Sequence, residues 1–104
     1  MESPILIDVW TIDPSQRVEL AQRISDGVRS VIVGRPGFVS AQLYESTSGD
    51  TMMVTVRMRS IKERQDLTDS PEAHNLLREL RTIARSHERL YRLVETFGEP
   101  EQAS

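Results

Sequence analysis

A chain of 104 residues has room for one domain, and a domain of that size buries only a modest core. With 13 Lys and Arg against 16 Asp and Glu, a net charge of −3 and a pI near 5.4, it lacks the basic balance of a nucleic-acid binder. The absence of cysteine excludes disulfides, thiolate metal sites, iron–sulfur clusters and a cysteine nucleophile.

The opening residues MESPILIDVW have no basic stretch ahead of their apolar run, and that run is too short for a leader or a membrane span. A cytoplasmic protein with no membrane partner is the expectation. From Pro4 to Ile12 the chain is rich in Ile, Val and Trp and reads as a strand. Asp13 suits an N-cap, Pro14 the first helical position, and Gln16 the third position of a capping box. Val18, Ala21, Ile24, Val28, Val31 and Ile32 then recur at helical spacing, predicting a helix to about Val33 that Gly34 and Pro36 terminate. Gly27 within it suggests a close helix–sheet contact.

Phe38 to Glu45 and Thr51 to Arg59 read as strands joined by the turn STSGD. Ser60 with Glu63 starts a short helix, and Asp69, Ser70 and Pro71 start a longer one with the stripe Ala73, Leu76, Leu77, Leu80, Ile83 and Ala84. The last strand is expected over Arg89 to Phe97, with His87 in the loop before it. Residues 1–98 would then form one α+β domain of β-α-β-β-α-β, ferredoxin-like order, an antiparallel sheet with helices on one face, and residues 99–104 a polar tail. Both strand faces carry apolar residues: Ile5, Ile7 and Val9 against Leu6, Trp10 and Ile12, for example. Helices cover one face, and a second copy is the simplest cover for the other, so a homodimer is expected.

The segments PGFVSAQLYES (36–46), RMRS (57–60), DSPEAHNLLREL (69–80) and RLYRLVETF (89–97) resemble the antibiotic biosynthesis monooxygenase family over nearly the whole chain. The resemblance implies a dimeric α+β barrel with a pocket in each subunit between helices and sheet. It also implies oxidation of phenolic, anthrone-like substrates by dioxygen without metal or flavin, as members in aromatic polyketide pathways carry out. Related members degrade haem or cyclise polyketides. The oxygenases usually carry Asn and Trp four residues apart on the third strand; Val54 and Met58 stand at those positions here, which makes the expected pocket apolar. Arg64 matches a position where a Tyr is common, and His74 falls in the helix that carries the haem degraders' His.

Among individual residues, His74 is the leading acid–base candidate, set against an ordinary rim histidine. Asp8, between Ile7 and Val9, would become a base if buried, or else pair with an arginine from a neighbouring strand or subunit. Trp10 can stack on a planar ligand or fill core or interface; Tyr44 and Tyr91 carry the same ambiguity, with packing favoured for Tyr91. Val54, Val56 and Met58 share one strand face and are expected to line the pocket or the core beneath it. Arg64 can polarise a phenolate or lie on the surface. No metal-ligand cluster or phosphate loop occurs, so neither metal nor cofactor is expected. The leading reading is a cofactor-free enzyme of aromatic polyketide metabolism, a monooxygenase. The alternatives are a polyketide cyclase and a non-catalytic dimer that binds a small aromatic ligand.

Overall fold

The computed structural model describes residues 4–98. The pleat of strand β1 (Ile5–Thr11) divides it into two faces of different character. Leu6, Asp8 and Trp10 turn toward the helices and lead into Ile12, whereas Ile5, Ile7 and Val9 turn the other way and are half-buried. Strand β3 (Thr51–Met58) alternates in step, with Met52, Val54, Val56 and Met58 all buried beneath the helices. These two strands pair antiparallel at the centre of a four-stranded sheet ordered β2-β3-β1-β4, the ferredoxin-like arrangement expected from the chain order.

Asp13 caps the first helix as anticipated: its Oδ1 accepts the Ser15 N–H at 2.9 Å, and Pro14 follows. The helix enters through one 3-10 turn (Pro14–Gln16) before α1 (Arg17–Gly27). Within α1, at about 100° per residue, Val18 lies about 200° round from Leu20, so the two cannot share a face. Leu20 and Ile24 face the sheet, while Val18, expected inside, is exposed. Beyond Gly27 the backbone widens into a π-helical turn (Val28–Ile32), closed by the Val33 N–H donating to the Val28 carbonyl at 2.9 Å. Gly27 answers to a helix rather than to the sheet, because a Cβ there would run into the methyl groups of Leu76 on α3.

Strand β2 (Phe38–Glu45) starts after Gly37, whose φ of +83° is open to glycine at little cost, and its carbonyl accepts the Arg59 N–H at 2.6 Å. A bulge at Val39 lets Phe38 and Ala41 share the helix-facing side although they are three residues apart. Helix α2 (Ile61–Thr68) is capped by Ser60, whose Oγ accepts the Glu63 N–H at 3.1 Å. Helix α3 (Pro71–Leu80) is capped by the buried Ser70, which accepts the Ala73 N–H and donates to the Leu67 carbonyl at 2.7 Å, tying the two helices together.

The last strand departs from expectation. Strand β4 spans Arg85–Tyr91, four residues earlier than the apolar content suggested, and pairs with β1 from Thr11↔Arg85 to Ile5↔Tyr91. His87 therefore lies on a strand, opposite Val9 on the outer face, and accepts a 2.7 Å hydrogen bond from Arg89 Nε. Leu93, Val94 and Phe97 lie past the strand and are exposed, Val94 at 94%. The helix stripe likewise stops at Leu80, so Ile83 and Ala84 pack from the connecting turn. The polar tail expected at 99–104 lies outside the described residues. Among the described residues no helix is long and apolar enough to cross a membrane.

Candidate functional site

Between sheet and helices lies a cavity of about 300 Å³. Its floor is Leu6, Asp8 and Trp10 of β1 with Val54 and Val56 of β3, brought to one side by the pleat. Its roof is Ile24 of α1 with Val28 and Ile32, which the π turn holds four residues apart and both inward. Leu67 and Thr68 of α2 and Ala73, His74, Leu76, Leu77 and Leu80 of α3 complete the wall. Polar groups are few: Asp8, Thr68, His74, Arg81 and Glu88. An apolar chamber with a handful of placed polar groups is the usual form of a small-molecule site.

Asp8 is the unusual member. It is 8% exposed, and its Oδ1 has no hydrogen-bond partner. Burial pushes its pKa up to about 6; the charge of Glu88, opposite it on β4, pushes the same way, and Arg81 opposes both. Among the described residues of this chain no arginine forms an ion pair with Asp8; Arg81 acts on it through charge alone and turns its Nε to Ser86 Oγ at 3.2 Å. His74 is exposed at the cavity wall and also borders a groove with Arg78 and Thr82.

Five of the nine residues singled out in the sequence, Asp8, Trp10, Val54, Val56 and His74, meet in this cavity. Four do not line it. Met58 is buried one strand repeat further along, in the core beneath the helices. Tyr44 sits on the outer face opposite Met53 and donates to Gln42 Oε1 at 3.2 Å. Tyr91 ends β4 on that outer face, opposite Ile5. Arg64 lies beyond the wall in a second groove, with Leu6, Thr68, Glu88, Arg89 and Leu90, and its buried Nε has no partner. Sequence reasoning missed Glu88 because β4 was expected to begin at Arg89, and missed Arg81 because its segment reads as a solvated mixed-charge surface. Among the described residues no three His, Asp or Glu side chains gather as a metal site.

The sequence matches no family model and no curated protein. Solved structures do match. The cofactor-independent oxygenase SnoaB from Streptomyces nogalater aligns at a TM-score of 0.71 and 16% identity over 95% of this chain and 100% of its own. Rv0793 from Mycobacterium tuberculosis aligns at 0.75 and 19%, over 92% and 100%. The chain has the antibiotic biosynthesis monooxygenase fold. A third structure, an antibiotic biosynthesis monooxygenase, carries the same fold at a TM-score of 0.74 and 10% identity, over 89% of this chain and 100% of its own. In the antibiotic biosynthesis monooxygenase fold as this chain builds it, the chamber is walled by apolar side chains, and Asp8 is the buried carboxylate within it.

Proposed function

We propose that this chain is a cofactor-independent oxygenase of aromatic polyketide or related metabolism, acting in the cytoplasm on a planar phenolic, anthrone-like substrate. The observation that carries the reading is a buried, unpartnered carboxylate oxygen of Asp8 inside an apolar chamber of small-molecule size. The fold shared with SnoaB supports the general kind of chemistry. Trp10 offers a planar apolar floor for the rings.

In this reading Asp8 takes a proton from the substrate, and the electron-rich anion passes one electron to dioxygen. The radical pair combines at carbon to a peroxide anion, which takes up a proton supplied at the cavity wall by His74. Asp8 releases its first proton to solvent, from which His74 is re-protonated, and, a carboxylate again, removes the remaining proton from that carbon as the oxygen–oxygen bond breaks. The departing hydroxide collects it as water. One ring methylene and one dioxygen give one carbonyl and one water, so the four electrons lost by carbon are those gained by oxygen. The protein's own contributions are orientation, exclusion of bulk water and two positioned proton carriers.

Val54 at the oxygenases' Asn position favours a second reading, a cyclase that folds a reactive poly-β-carbonyl chain against apolar walls. Incubation of the pure protein with a panel of anthrones and linear polyketides, following oxygen uptake and product mass together, separates the possibilities. Oxygen consumption with a product heavier by one oxygen and lighter by two hydrogens supports the oxygenase. An isomeric or dehydrated product supports the cyclase, and tight binding without turnover leaves a ligand-binding protein.

We also propose that two copies associate through the outer sheet face. Half-buried Ile5, Ile7, Val9 and Met53 form an apolar stripe there, as a self-complementary interface requires.

A further inference from the structure

Asp8 and Glu88 stand directly opposite each other on β1 and β4, on the side of the sheet that faces the helices. Such side chains have Cβ atoms about 4.5–5.5 Å apart, and like charges there repel. The two differ in access. Asp8 is buried with its Oδ1 unpartnered, whereas Glu88 is exposed and borders both the cavity and the groove that holds Arg64. The surrounding elements contribute few other charges. Arg81 follows α3, His74 lies on α3 and Arg64 on α2; β3 places Val54 opposite Asp8, and the roof is apolar.

We infer that Asp8 and Glu88 form one proton-transfer unit, in which Asp8 meets the ligand inside the cavity and Glu88 passes the proton to solvent through the groove beside Arg64. The inference rests on the cavity being the reaction site and goes beyond it by assigning the path of the proton. The O–H or C–H bond of the ligand breaks, an O–H bond forms on Asp8, and the proton moves to a Glu88 oxygen and then to water. The like charge of Glu88 makes Asp8 a stronger base than burial alone would, and the same proximity opens the route out.

The test begins with carbon-13-labelled aspartate in the ligand-free protein, with the Asp8 signal identified by its loss in Asp8→Asn. Glu88→Gln lowers the Asp8 titration midpoint from about 6 by roughly 0.5–1 pH unit, and Arg81→Gln raises it. An unchanged midpoint in Glu88→Gln overturns the inference, and because no substrate is present that result says nothing against the oxygenase reading. With 1,8-dihydroxyanthrone as probe, Glu88→Gln lowers kcat about tenfold or more at unchanged KM, and small acid buffers such as formate restore it. Wild-type kcat in Glu88→Gln, or a loss that no buffer restores, removes Glu88 from the proton path.

Discussion

A carboxylate set among Leu6, Trp10 and Val54 makes the pH response of this fold calculable in sign. The Asp8 carboxyl has a pKa of about 6 in the native chain against an ordinary 3.8, so the folded state holds its proton more tightly than the unfolded state. Its contribution to stability is complete below pH 3.8 and is lost as pH rises through about 6. Asp8→Asn, which cannot ionise, is therefore expected to be more stable than wild type at pH 8 by about 1–2 kcal/mol, with the difference closing below pH 4. Urea unfolding at both pH values checks it. The same substitution should cut turnover by ~10²–10⁴, and His74→Ala by a comparable factor if it supplies the second proton; unchanged turnover in His74→Ala returns that residue to the rim. Asp8, Trp10, Val54, Val56 and His74 were legible because strand parity and helical spacing report faces directly. Tyr44 and Tyr91 were not, since an aromatic ring is equally at home on either side of a sheet.

At the level of elements, capping chemistry was readable and polar strand chemistry was not. Asp13 and Ser60 occupy the caps their spacing predicted, and of Asp69 and Ser70, named together at the start of α3, it is Ser70 that caps it. Ser70 does double duty between α2 and α3, so Ser70→Ala should cost about 1–2 kcal/mol, measured as a lower denaturation midpoint at constant slope. Strand β4 reads RSHERLY and carries its apolar residues only at its end, as befits an edge strand that must resist further pairing. Its pairing with β1 is fixed by tertiary contact, which no local pattern announces. The contact between α1 and α3 was half visible: Gly27 signalled close approach, but only the packed structure names Leu76. Gly27→Ala is expected to destabilise by about 1–3 kcal/mol through overpacking. The double variant with Leu76→Ala should lose less than the two single losses added together.

At the scale of the whole molecule, the β-α-β-β-α-β order emerged from the sequence because each element carries its own period and its own punctuation. What the outer sheet face touches did not, because an apolar face states a need without naming its partner. If a second copy meets that need, sedimentation at micromolar concentration gives a dimer. Ile7→Glu, in the middle of the stripe, then shifts it to monomer while leaving the circular dichroism spectrum unchanged. A monomer for the wild-type chain would remove the proposed interface.

The π turn at Val28–Ile32 gives the cavity an unusual kind of heritability. A π turn holds one residue more than the α-helix it interrupts. An extra residue in a plain α-helix would turn all that follows by about 100°, but the widened turn absorbs it, so loss of a single codon between Val28 and Ile32 would restore an ordinary helix with the roof still in phase with α1. Val28 and Ile32 would both stay inward, three residues apart instead of four, and the roof would lose only the bulge between them. Roof width can thus change through chain length alone, with every lining side chain kept in place.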